Sequence, residues 1–262
     1  MIYVCIPSHN EARTVGLLLW KVRQTFTGFP REYQLLVVDD ASTDATREVL
    51  EPYARVLPLT VIRHGERQGY AASVTELLRM ALERTDRPRR DAAILMHADF
   101  AHDAAALPDL VRQIESGADL VVAEGELGGK ASPGHRLVRR AAPLLLGRRA
   151  RVPGVRDLVS GFAAFRLVTL RDAFRDRPTG PVLASEGWAA NAELLGLAAR
   201  HARRVEPIRT VERLDRRERA SRTSPWATAL ALWRSRRTIR LPARRPPSAA
   251  SSDPPEASLP AT

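Results

Sequence analysis

The chain holds 262 residues, 44% hydrophobic and 27% charged, which is enough to bury a sizeable core and excludes a disordered or fibrous protein. No stretch approaches the roughly 18–20 apolar residues of a membrane span, the first strand-like run begins at Ile2 with no room for a signal peptide, and the single Cys5 excludes an intramolecular disulfide or a multi-Cys metal site. The net charge of +11 equals that of residues 200–245 alone, where fifteen Arg face four acids, so a polyanionic partner is expected: substrate phosphates, an anionic membrane surface or nucleic acid.

Along the first 125 residues, short β-branched runs alternate with segments of helical period. Strands are predicted at 2–6, 35–40, 59–63, 92–96 and 119–123, each too short for a helix. Helices are predicted over 12–26, 43–53, 70–84 and 107–116. This alternation implies an α/β fold, a mostly parallel sheet flanked by helices, with ligands bound outside the carboxyl ends of its strands. Beyond Gly125 the pattern changes. A loop-like stretch over 128–135 leads into a basic amphipathic segment, 136–149, interrupted by Pro143 and carrying Leu137, Ala141, Leu144 and Leu145 on one face.

A helical run covers 191–201, and Ser224 with Pro225 reads as the N-cap and first residue of a C-terminal amphipathic helix. That helix is expected to share one face among Trp226, Ala229, Leu230 and Trp233. From Leu241 onward fifteen of 22 residues are Pro, Ser or Ala, the composition of a disordered tail. The chain thus divides into a globular part, 1–222, a basic amphipathic helix, 223–240, and a tail, 241–262. A cytosolic, reducing compartment is expected, with peripheral contact at the inner face of the membrane. Nucleic acid ranks last among the partners, because only 5% of residues are aromatic and no recognition motif is present.

Polar clusters end three of the strands: "PSHNE" (7–11), "DDASTD" (39–44) and "HADFAHD" (97–103). Adjacent carboxylates after an apolar run are costly unless they meet a partner; the alternative is a helix cap at Ser42 or Thr43. His97 and Asp99, two apart on an extended strand end, point the same way. A divalent cation placed there would offset the charge of a leaving diphosphate. Gly65 and Gly69 suit either ordinary turns or a loop that lets backbone approach a nucleotide.

Seven segments, in order over residues 1–222, resemble the family 2 glycosyltransferases of GT-A fold, nearest to the polyprenyl-phosphate sugar transferases typified by dolichyl-phosphate mannose synthase. They are "IPSHNE" (6–11), "VVDDASTDAT" (37–46), "HGERQGYAASV" (64–74), "ILMHADFAHDAAALPDLV" (94–111), "DLVVAEG" (119–125), "DLVSGFAAFR" (157–166) and "VEPIRTVERLDRRERASR" (205–222). The resemblance implies a Rossmann-like nucleotide-diphospho-sugar transferase fold. It also implies transfer, with inversion and a divalent cation (Mn²⁺ or Mg²⁺), from GDP-mannose or a UDP-hexose to a polyprenyl phosphate or similar lipid.

Carried over to this sequence, Pro7, His9 and Glu11 line the base and ribose pocket, with Asp39, Asp40, Gly69, Ala98 and Asp99 also on the donor. His97 and Asp99 form the metal motif. Arg136 and Arg213 meet phosphates and, with Asp157, carry the catalytic assignment; Arg139, Arg222 and Glu193 are assigned to the acceptor side. An anionic phosphate oxygen as nucleophile needs little general-base help, so positioning and charge neutralisation dominate. Scaffold roles stand as the alternative for Asp157 and Glu193.

Four residues depart from the family pattern: His97 for an acid, Ala101 for a polar ligand, and Gly125 and Ala163 for arginines. A soluble transferase with a small or carbohydrate acceptor, or a nucleotide-sugar-binding protein without turnover, are the competing functions. The sequence carries no signal for oligomeric state.

Overall fold

The computed structural model describes residues 1–128, 133–147, 150–177, 180–213 and 224–239. Arg222 and the tail from Leu241 lie outside these residues. Strands β1 (Ile2–Ser8), β2 (Tyr33–Asp39), β3 (Leu59–Arg63), β4 (Ala92–Leu95), β5 (Leu120–Gly128), β6 (Ala163–Arg166) and β7 (Val205–Arg213) form one sheet in the order β3-β2-β1-β4-β6-β5-β7. Only β6 runs antiparallel, to β4 on one side and β5 on the other; the remaining pairings are parallel. This is the mostly parallel, helix-flanked sheet expected from the βα alternation.

Alternation along the strands builds a core on each face. Tyr3, Cys5, Leu36 and Val38 point into one cluster, and Ile2, Val4, Ile6, Leu35 and Val37 into the other. Helices α1 (Val15–Gly28), α2 (Thr46–Val56) and α4 (Leu107–Glu115) cover the second cluster. The first is covered by α3 (Tyr70–Arg84), α5 (Pro133–Leu146), α6 (Leu167–Arg175), α7 (Trp188–His201) and α8 (Pro225–Thr238). α1 and α2 begin three residues later than predicted, because residues 11–14 and 42–45 are held in turns that bond to one another rather than to a helix.

Three further differences from the sequence reading have physical causes. The basic amphipathic segment is helical from Pro133 to Leu146, three residues earlier than expected, and Pro143 sits inside it without ending it. β7 was not predicted, since alternating Glu, Arg and Thr weaken its apolar signal; it reaches the sheet through nine paired residues of β5. On α8, Thr228 and Leu232 are the buried residues and Ala229 packs beside them, whereas Trp226, Leu230 and Trp233 face solvent. The predicted common face therefore loses Ala229 and points outward.

Candidate active site

The loops that leave β1, β2 and β4 meet at the carboxyl edge of the sheet, and hydrogen bonds between them set their geometry. Asn10 is the hub: its backbone N–H donates to Ser42 Oγ at 2.8 Å, and its side-chain oxygen accepts from the N–H groups of Thr43 and Asp44 at 2.6 and 3.2 Å. Glu11 N–H donates to Thr46 Oγ1 at 2.8 Å. Among the described residues, the non-glycine residues with positive φ are Asn10, Ala41 and Phe100, one in each of these three loops. Left-handed backbone at a non-glycine residue is strained, and it persists where surrounding bonds over-determine it.

A cavity of about 180 Å³ opens between these loops, lined by Pro7, His9, Glu11, Asp40, Ala98 and Asp99 together with His97. Glu11 is shared with an adjoining cavity of about 520 Å³ along the residues 10–14 turn. Of the residues predicted to touch the donor, all but Asp39 and Gly69 line the smaller cavity. Gly69 stands beside it, its N–H donating to Asp40 at 2.9 Å. Asp39 is fully buried, ion-paired with Arg63 at 2.7 Å and accepting from Ser42 N–H, so it holds the loop rather than facing the cavity. Arg67, Tyr70 and Ser73 also line it and escaped the sequence reading. The glycine loop that carries them was the available signal.

Asp40 is locked. One carboxylate oxygen accepts from Gln68 N–H at 2.7 Å and bonds His64 Nδ1 at 2.7 Å, while His64 Nε2 reaches Glu76 at 2.6 Å. Burial alone would raise the Asp40 carboxyl; the hydrogen bonds from His64, Gln68 and Gly69 outweigh it and hold the carboxyl below the ordinary range. Burial likewise opposes a charged His64, yet two carboxylate partners raise its imidazole above the usual value. His64 thus ties the end of β2 to α3, its ring held between two carboxylates.

His97 lies in a ring stack. Its centroid is 5.3 Å from Tyr70 and 5.5 Å from His102, which in turn sits 4.8 Å from Phe162. Gly161 (φ 70°) leaves the slot open: a Cβ there would lie 2.5 Å from His97 Nε2 and 2.6 Å from the Asn191 amide nitrogen. Burial pushes the Tyr70 phenol well up, so it remains a hydroxyl, donating to Asn191 at 2.6 Å.

Among the described residues no group of three or more His, Cys, Asp or Glu could hold a metal by itself. Asp99, which accepts from Ala101 N–H, and the imidazole of His97 both line the donor cavity. Such a sparse oxygen-and-nitrogen set fits a divalent cation whose remaining ligands come from a diphosphate.

A third cavity, about 950 Å³, is lined in part by the start of the 157–161 loop. Arg136, Arg140, Arg151, Arg156 and Arg209 line it with the buried Arg139, against apolar Val152, Pro153, Val155 and Leu158. Arg136, assigned from the resemblance to a phosphate, and Arg139, assigned to the acceptor side, both line it; Arg151, Arg156 and Arg209 were missed, because a loop and a strand far apart in the chain deliver them. Asp157 and Glu212 clasp Arg139 from two sides, Asp157 through Nε at 3.1 Å as well as Nη2. Asp157 also accepts from Val159 N–H at 3.1 Å and Gly125 N–H at 3.4 Å. Both oxygens of this carboxylate are engaged, which suits an anchor for the loop.

Gly125, read from sequence as a missing arginine, is what admits the cluster: a Cβ there would lie 2.9 Å from Glu212 and 3.2 Å from the Arg139 guanidinium. Glu193 lines neither cavity. It is fully buried, accepting from Ala184 and Ser185 N–H at 3.0 Å each, so it stabilises the 180–187 loop instead of facing the acceptor. Arg213 is the last residue of β7.

The profile described as "Glycosyl transferase family 2" matches residues 3–174, a stretch that contains the donor cavity and the 157–161 loop. The chain belongs to this family. Within it, the dolichol-phosphate mannosyltransferase of Pyrococcus furiosus is 29% identical over 171 residues, covering 63% of this chain and 46% of that protein. Glycosyltransferase AglJ of Haloferax volcanii is 26% identical over 200 residues, 73% of this chain and 56% of its own length. The chain spans about half the length of these curated relatives. Among solved structures, Mycobacterium tuberculosis glucosyl-3-phosphoglycerate synthase is similar in fold, with a TM-score of 0.60, 21% identity, and coverage of 92% of this chain and 81% of that one. It has been solved in complex with uridine diphosphate and with phosphoglyceric acid. As a member of family 2, the chain carries the family's profile on a predominantly parallel α/β fold.

Proposed function

We propose that the protein transfers a hexose, with inversion, from a nucleoside-diphosphate sugar to the oxygen of an acceptor that carries a phosphate group. The observation that carries this is the pairing of a donor cavity with a large arginine-lined cavity, joined by the loop that runs from Asp157 to Gly161. In this reading Asp40, His9 and Glu11 orient the nucleoside, and Asp99 with His97 faces the diphosphate. A divalent cation bound there supplies charge neutralisation for the departing diphosphate. Arg136, Arg140, Arg151, Arg156 and Arg209 hold the acceptor phosphate by charge-assisted bonds. The clasp on Arg139 fixes the loop between the two.

Two sources offer such an acceptor. A polyprenyl phosphate is supported by the similarity to dolichol-phosphate mannosyltransferase and by the apolar lining of Val152, Pro153, Val155 and Leu158. A small soluble phosphate ester is supported by the fold similarity to glucosyl-3-phosphoglycerate synthase, which extends over more of both chains. The experiment is a donor titration with GDP-mannose, UDP-glucose and UDP-N-acetylglucosamine, each with Mn²⁺, Mg²⁺ or chelator. It is followed by transfer assays with the donor that binds, offered a polyprenyl phosphate in detergent or 3-phosphoglycerate, and by NMR of the anomeric product. Arg209→Ala and Arg151→Ala are expected to raise the acceptor KM about tenfold each, leaving donor affinity unchanged. Absence of cation-dependent donor binding would overturn the proposal.

A further inference from the structure

We infer that the outer face of α5 and α8 docks onto an anionic lipid surface. Helix burial normally hides the largest apolar side chains, and α8 does the reverse: Thr228 and Leu232 are buried, while Trp226 is 86% exposed and Leu230 and Trp233 are 44% exposed each. These three residues, at i, i+4 and i+7, form one stripe. α5, which lies against α8, presents Leu137 and Leu144, also seven apart, at 69% and 75% exposure. Tryptophan and leucine held out of a core that could take them mark a surface with a partner.

Charge selects the partner. Neither helix carries an acidic residue, and Arg136, Arg140, Arg234, Arg236 and Arg237 are exposed on them. Arg236 and Arg237 each lie 5.7 Å from the Trp233 ring centre, a basic collar around an apolar anchor. A second copy meeting this face through a two-fold axis would set five cations against five, which disfavours self-association. A bilayer containing anionic lipid satisfies both components: the stripe enters the headgroup boundary and the arginines stay among the phosphates. Arg136, Arg140 and Pro143 of the same α5 line the arginine-rich cavity, so docking would bring that cavity beside the headgroups. The inference depends on the proposed transfer only for its purpose, since docking is measured with no donor present.

The test is co-sedimentation of the full chain with vesicles of equimolar phosphatidylglycerol and phosphatidylcholine, against phosphatidylcholine alone. Affinity for the anionic vesicles should be at least ~100-fold higher and fall steeply with salt. Trp226→Ala with Trp233→Ala should weaken it by ~10-fold or more, and Arg234→Ser with Arg236→Ser and Arg237→Ser by a comparable factor. Neither set should change the melting temperature or donor binding, because none of these residues lines a cavity or enters the core. Three results would overturn the inference: no vesicle binding at low salt, binding that survives the double tryptophan variant, or a concentration-dependent dimer that this variant abolishes. Trp20→Ala, on the exposed face of α1, serves as the control and should have no effect.

Discussion

At the donor end of the site, the loops after β1 and β2 are knitted by short polar bonds between residues 31 to 35 positions apart, each contributing a modest share. Beside the arginine-lined cavity, one guanidinium on α5 is clasped by a loop carboxylate 18 residues away and a strand carboxylate 73 residues away, all three nearly excluded from water. The first arrangement spreads its stability over many bonds that water could partly replace. The second concentrates it in a buried ion cluster with two negative charges and one positive, where losing the cation is severe. A cavity of the first kind tolerates change residue by residue, and the arginine-lined cavity stands or falls with Arg139.

That contrast predicts an order of effects. Arg139→Ala should be the most damaging, costing about 3–5 kcal/mol in denaturant unfolding because two buried carboxylates lose the cation that they share. A cost below about 1 kcal/mol would erase the distinction between the two ends. Gly161→Ala should cost about 1–3 kcal/mol, since it imposes a left-handed φ on alanine and pushes a methyl into His97; donor binding should weaken with it. Asp40→Asn should cost a comparable amount, about 1.5–3 kcal/mol of charge-assisted hydrogen bonding shared with the loop, read as a loss of donor affinity by calorimetry. If it instead matched Arg139→Ala, the donor end would be as concentrated as the acceptor end.

The smallest effect concerns pH. His64 has a raised pKa in the folded chain, so its contribution is complete below about pH 6.5, the unfolded imidazole value, and is lost as pH rises through the folded value. Asp40 is depressed, so its contribution is present above about pH 3.9 and is lost as pH falls through its folded value. Stability and donor affinity should therefore decline gently as pH rises above about 6.5. His64→Gln should flatten that decline in melting temperature measured across pH 6–9. A slope unchanged by the variant would assign the pH response elsewhere.

Much of the donor end was legible because its chemistry is local. Pro7, His9, Glu11, Asp40, His97, Ala98 and Asp99 follow directly on apolar runs, and a parallel sheet gathers the ends of its strands at one edge. Asp39 and Asp40 could not be told apart for the same reason: adjacent carboxylates look equivalent in sequence, and the fold turns one inward to Arg63 and the other to the cavity. Glu193 could be sorted only once the 180–187 loop was seen to fold its N–H groups onto it. Gly125 and Arg139 show the limit most clearly, since a missing side chain on one element makes room for an arginine from another.

Periodicity and strand-end polarity, both properties of neighbouring residues, determined the α/β class, most strand positions and the donor edge from the sequence alone. Tertiary structure decided which carboxylates are scaffold and which face a ligand, which arginines converge on one cavity, and which side of α8 faces water. Those outcomes depend on burial and on partners far apart in the chain, and no local pattern encodes either.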